Sequence, residues 1–86
     1  MDRAGFETMG TPLSAVSSGK QVEILRFQAG RGLQARLASM GILPGVGVRV
    51  VRNDSFGPLV LGLKGTRLML GRGVADRVLV RQSDLE

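Results

Sequence analysis

The sequence predicts a mainly-β fold, a small partly open barrel of about five short strands with one inserted α-helix at about residues 33–40. Three observations carry that reading. Apolar residues alternate with period two in several windows bounded by Gly, Pro, Asn and Asp, the mark of short strands with one buried face. Only Leu33, Leu37 and Met40 show the i, i+4, i+7 spacing of an amphipathic helix. Finally, 86 residues without a Cys must bury a core with no covalent staple, and a short sheet does this best by curling onto itself.

The elements follow in order. Residues 1–10 show no periodicity and read as a flexible tail, residues 11–82 as the folded domain, and residues 83–86 as a second tail. Pro12 suits a first helical position behind Thr11 as N-cap, so a single helical turn is expected through Val16, broken by Ser17-Ser18-Gly19. Lys20 to Phe27 reads as a strand with Val22, Ile24 and Arg26 on one face and Glu23, Leu25 and Phe27 on the other. Gly30-Arg31-Gly32 makes a turn into the helix. The helix end is well marked: Gly41 suits a left-handed C′ position, Ile42 packs back on Leu37, and Pro44 prevents resumption.

From Gly45 onward the pattern is strands between turns. Val46, Val48 and Val50 alternate with Gly47, Arg49 and Val51. Asn53–Pro58 is a loop of turn formers. Leu59–Leu63 and Arg67–Leu70 are strands joined across Lys64-Gly65-Thr66. Gly71–Asp76 reads as a turn or 3-10 step, and Arg77–Arg81 as a closing strand with Val78 and Val80 on one face.

Charge is uneven. The chain carries 12 basic and seven acidic residues, net +5. Between Arg26 and Arg81 there are ten basic residues against Asp54 and Asp76, net +8. Such a field favours an acidic protein partner, a nucleic acid or an anionic surface, and it also serves solubility. No segment approaches the roughly 20 apolar residues that span a bilayer, so direct membrane insertion is not expected. Met1–Gly10 has no continuous apolar stretch of the secretory kind, and the cytoplasm is the expected compartment.

Catalytic chemistry is not in evidence. With neither His nor Cys, nucleophile–histidine arrangements and zinc sites built on imidazole or thiolate are excluded. Glu23, Asp54 and Asp76 follow no calcium-loop spacing, although carboxylates brought together by folding could hold a hard cation. Gly30-Arg31-Gly32 and Gly71-Arg72-Gly73 each match half of a dinucleotide fingerprint, without the full spacing after a strand and before a long helix. They read better as glycines of tight turns. No catalytic residue, cofactor or metal ligand is assigned, and the chain is not expected to be an enzyme.

The segment Arg36-Leu37-Ala38-Ser39-Met40-Gly41-Ile42-Leu43-Pro44-Gly45, a helix end of form R-L-x-x-[LM]-G-[ILM]-x-P-G running into an alternating Val strand, resembles the FeoA family of ferrous iron transport. The Thr11-Pro12-Leu13-Ser14 start, the Phe56-Gly57-Pro58 loop, the Leu68-Met69-Leu70-Gly71 strand end and the Val78-Leu79-Val80 strand extend that resemblance over residues 11–82. It implies an SH3-like barrel with a helical insertion after the first strand. It also implies a cytoplasmic accessory of the FeoB transporter, a GTPase-linked ferrous iron permease, reaching the inner membrane through that partner. The same fold occurs in metal-dependent repressors. Transition-metal binding is a family-level association for which this sequence supplies no His or Cys, so direct iron chelation is not expected.

The helix exit is the expected contact surface. If Ile42 turns inward, Leu43 turns outward on a turn stiffened by Pro44, with Arg36 on the outer face of the helix nearby. An apolar anchor rimmed by Arg is what protein interfaces favour. The candidate partner-binding residues are therefore Arg36, Met40, Leu43, Pro44, Arg49 and Arg52. Leu37, Met40, Gly41 and Pro44 can also be read as building the helix exit, and Arg49 and Arg52 as a solvated strand face. The alternative function is nucleic-acid binding by a basic small barrel, for which three Phe as the only aromatics equip the chain poorly. Capture of proline-rich peptides lacks the Tyr and Trp that line such grooves. Pairing between copies through strand edges stays open.

Overall fold

The computed structural model describes residues 10–83. The expectations for residues 1–9 and 84–86 lie outside the described residues. Six strands form one antiparallel sheet: β1 (Thr11–Pro12), β2 (Gln21–Phe27), β3 (Gly47–Arg52), β4 (Leu59–Leu63), β5 (Thr66–Leu70) and β6 (Val78–Gln82). Their order is β1-β6-β2-β3-β4-β5, so the curled sheet stays open between β1 and β5. Helix α1 spans Arg31–Ser39 between β2 and β3, and the short α2 spans Arg72–Ala75 before β6.

The core is aliphatic, as the composition requires. Val22 and Ile24 of β2, Val48 and Val50 of β3, Leu59, Leu61 and Leu63 of β4, Leu70, Val78 and Val80 point inward, closed by Leu13, Leu37, Ile42 and Ala75. The alternation expected along β3 is the alternation observed, and β4 alternates likewise, because each strand buries one face and a one-residue slip would reverse it.

Several expectations need correction. Thr11 does not cap a helical turn. Thr11 and Pro12 pair with Val80 and Leu79 as a sixth strand, and only Leu13–Ala15 form a 3-10 turn, which has no side-chain cap. Pro12 sits at φ −59° and ψ 137°, an extended geometry proline adopts freely at a sheet edge. In β2 the two-faced pattern breaks at Leu25, where the register against β6 shifts by one residue. This bulge leaves Arg26 exposed while Phe27 packs against the core. A second bulge falls at Val51 of β3.

Both Gly-Arg-Gly segments begin helices rather than tight turns. Gly30 and Gly71 are the N-cap residues of α1 and α2, with φ of −74° and −59°. The first starts α1 two residues earlier than its apolar stripe indicates, and the second turns the expected 3-10 step into one α-helical turn. Leu79 is buried together with Val78 and Val80. Its side chain lies on the opposite sheet face, where Gly10 approaches so closely that a Cβ there would stand 3.0 Å from Leu79 Cβ and 3.3 Å from Leu25 Cδ1.

Candidate functional site

The end of α1 is built as its residues dictate. Met40 is the C-cap, and Gly41 follows at φ +87°. The Gly41 N–H donates to the Ala38 carbonyl at 2.9 Å and the Ile42 N–H to the Leu37 carbonyl at 2.9 Å. This is the paired capping of a Schellman motif, completed by burial of both Ile42 and Leu37. The chain then turns again at once. The Val46 N–H donates to the Leu43 carbonyl at 3.1 Å, with Pro44 and Gly45 (φ +90°) between them, the residue pattern of a type II turn. The Gly45 N–H donates to the Ile24 carbonyl at 2.8 Å, and Ile24 donates back to Val46 at 2.9 Å, tying the turn to β2.

Leu43 sits between these two fixed features. Ile42 is fully buried, whereas Leu43 is 43% exposed. An apolar side chain is thereby held outward by backbone hydrogen bonds on both sides, so little conformational entropy remains to be lost when something covers it. Pro44 is exposed beside it, and Arg36 is exposed on the last turn of α1. Met40 is half-buried and packs against the core, so its part in this surface is to support it.

The structure gathers Arg36, Met40, Leu43 and Pro44 and carries the other two candidates away. Arg49 donates from Nη1 to the Gly19 carbonyl at 3.1 Å, which draws its guanidinium toward the Ser17–Lys20 turn. Arg52 is five residues beyond the start of β3, about 16 Å at the rise of a strand, and is paired with Asp54 at 2.8 Å. The fold also brings the end of β4 to the helix exit, and Lys64 follows it in the chain. A Cβ on Gly41 would stand 3.1 Å from Leu63 Cδ2, so the exit rests on the last residue of β4 and has the Lys64–Gly65 turn beside it. No local signal in the sequence joins residues 41 and 63; the glycine at the cap allows the approach.

Two exposed apolar residues complete the picture. Phe56, 87% exposed, lies in the β3–β4 loop, and Met69, 66% exposed, lies on the outer face of β5. Sequence alternation could have flagged Met69, which lies between the inward Leu68 and Leu70. The carboxylates do not converge. Glu23 pairs with Arg81 at 2.9 Å, Asp54 with Arg52, and Asp76 accepts a hydrogen bond from Ser14. Among the described residues no three potential metal ligands cluster.

A separate polar network secures the β3–β4 loop. Asn53 Nδ2 donates to the carbonyls of Ser14 and Val16 at 2.9 and 2.8 Å, and Arg72 Nη2 donates to Asn53 Oδ1 at 2.7 Å. These bonds clasp the loop to the 3-10 turn and α2, at the other end of β3 from the helix exit.

With this fold and surface in view, the comparisons with known proteins are decisive: residues 11–82 match the FeoA domain family. The chain belongs to the FeoA family. It is 36% identical over 73 residues to a protein of Methanocaldococcus jannaschii provisionally named Fe(2+) transport protein A, a match covering 85% of this chain and 88% of that one. A crystal structure described as the iron uptake regulatory protein FeoA is similar at a TM-score of 0.80 and 32% identity, over 85% of this chain and 97% of that one. A manganese-dependent transcriptional repressor shares the SH3-like fold at a TM-score of 0.78 and 22% identity, over 86% of this chain but 42% of the repressor. The SH3-like architecture expected from the resemblance is the one observed. No helix among the described residues is long and apolar enough to cross a membrane.

Proposed function

We propose that this FeoA-family chain is a non-catalytic, cytoplasmic accessory of ferrous iron uptake that binds the cytoplasmic part of an FeoB-type transporter and adjusts its assembly or activity. The observation that carries the reading is Leu43, an apolar side chain held outward between a Schellman cap and a type II turn. A rigid apolar anchor with charged neighbours is the arrangement from which interfaces draw most of their energy. Arg36 and the Lys64 turn form the rim, Met40 and Pro44 support the platform, and Arg49 and Arg52 stand outside the contact.

The partner is tested by titrating the purified chain against the cytoplasmic region of its own FeoB at about 150 mM salt, where long-range charge attraction is screened. Duplex DNA and a structured RNA serve as competitors. Saturable binding that neither nucleic acid displaces is the expected result. Absence of binding to the transporter, together with nucleic-acid binding that falls steeply with salt, would overturn the proposal in favour of a phosphate-tracking role.

A further inference from the structure

The open side of the sheet exposes the outer edge of β5, a strand that among the described residues pairs with β4 alone. The turn before it sets which backbone groups that edge presents. Leu63 and Thr66 flank a two-residue connection, Lys64–Gly65, with φ of +51° and +81°, the signs of a type I′ hairpin. Such a turn makes Leu63 and Thr66 a hydrogen-bonded pair, and ladder alternation then directs the backbone groups of Leu68 and Leu70 toward β4 as well. The N–H and C=O groups of Arg67 and Met69 point away from the sheet.

The side chains of the same two residues stand exposed on the outer face. Arg67 lies opposite Gly62, which has no side chain to cover it. The ion pairs among the described residues, Arg52–Asp54 and Glu23–Arg81, leave Arg67 out. Met69 lies opposite the half-buried Val60 and remains 66% exposed. One free edge therefore offers two backbone donors, two backbone acceptors, an uncommitted cation and an apolar side chain in a fixed two-residue register.

We propose that the β5 edge is a strand-addition site for an extended acidic segment of a partner protein. The added strand places a carboxylate beside Arg67 and, two residues away, an apolar side chain beside Met69. In this mode main-chain hydrogen bonds supply affinity and alternate side chains supply specificity. Charge decides the occupant. Two copies of β5 paired edge to edge with Arg67 opposite Arg67 would set like charges against each other, which is destabilising across a strand pair. Edge Lys and Arg are a common guard against self-pairing, and the same charges attract an acidic strand. This inference does not rest on the transporter reading: the β5 edge meets the proposed transporter contact only at the Lys64–Gly65 turn, and Arg67 and Met69 lie outside it.

The probe is the capped peptide Thr-Thr-Val-Thr-Glu-Thr-Thr, which in antiparallel register sets Glu opposite Arg67 and Val opposite Met69; it is titrated to about 5 mM into the full ¹⁵N-labelled chain, a range that detects even millimolar affinity. The amides of Arg67 and Met69 are expected to shift and to gain hydrogen-exchange protection. A peptide with Lys in place of Glu should bind at least about tenfold more weakly, and one N-methylated at the Glu and Val nitrogens should not bind. Arg67→Glu should reverse the preference between the Glu and Lys peptides. Met69→Pro removes an outward N–H without touching the β4 ladder and should abolish binding; should that variant fail to fold, the N-methylated peptide tests the same bond on the native chain. Silence of the two amides, or equal binding of the Glu and Lys peptides, would overturn the proposal. Protection of the two amides that rises with protein concentration alone would overturn it too, assigning the edge to a second copy.

Discussion

Replacing Gly41 by Ala disturbs two things at once, and Gly45→Ala isolates one of them. Both glycines lie in the left-handed region, at φ +87° and +90°, where an L side chain costs about 1–2 kcal/mol. At Gly45 nothing lies within 4 Å of an added methyl, whereas at Gly41 the methyl meets Leu63 Cδ2 at 3.1 Å. Leu63 is buried in the core, so accommodating the contact shifts a packed side chain, on the order of 1 kcal/mol. Gly45→Ala should therefore cost about 1–2 kcal/mol and Gly41→Ala about 2–3 kcal/mol. With a urea m-value of about 1 kcal/mol/M for a small domain, the unfolding midpoints should fall by about 1–2 M and 2–3 M respectively. Equilibrium urea unfolding followed by far-UV circular dichroism measures both. Adding Leu63→Val to Gly41→Ala should recover part of the excess, because the two residues touch and their effects couple. Equal losses at the two glycines would refute the close approach of the helix exit to the β4–β5 hairpin, and no loss at either would refute the left-handed caps.

Other perturbations have equally definite outcomes. Asn53→Ala removes the donor to the Ser14 and Val16 carbonyls and the acceptor for Arg72; part-buried groups left without partners should cost about 2–3 kcal/mol in the same urea assay. Lys64→Asn relieves a non-glycine residue at φ +51° in a turn that favours Asn-Gly, and should raise stability by about 0.5–1 kcal/mol, a rise in Tm of about 2–8 °C by calorimetry. Arg81→Ala breaks a partly exposed pair with Glu23 and should cost less than about 1 kcal/mol, with the difference shrinking as salt is added.

Where structure is set by near neighbours, it was legible in the sequence. The whole exit of α1, from the inward Ile42 to the outward Leu43, follows from one glycine and one proline at the right places. The alternation of Val48 and Val50, and of Leu59, Leu61 and Leu63, follows from burying one face. What escaped depends on distant residues. Thr11–Pro12 form a strand only because Val80 and Leu79, almost 70 residues later, present an edge to them. The bulges at Leu25 and Val51 arise from pairing across the sheet and leave no local trace. Leu79 is buried on a face that alternation assigns to solvent, because Gly10 and Leu25 cover it. The candidate surface divides in the same way. Arg36, Met40, Leu43 and Pro44 are neighbours in sequence and in space, while Arg49 and Arg52 are drawn off by partners at Gly19 and Asp54. The approach of Leu63 to Gly41 is likewise a meeting of residues far apart along the chain.

The measurement that bears most directly on the helix exit as the transporter contact is calorimetric titration of wild type, Leu43→Glu and Arg52→Glu against the cytoplasmic region of FeoB at about 150 mM salt. Leu43→Glu should weaken binding at least about tenfold, the loss expected of a central apolar anchor, with Arg52→Glu within about threefold of wild type. Wild-type affinity for Leu43→Glu, or a larger loss at Arg52, would contradict that placement and move the contact to another face of the barrel.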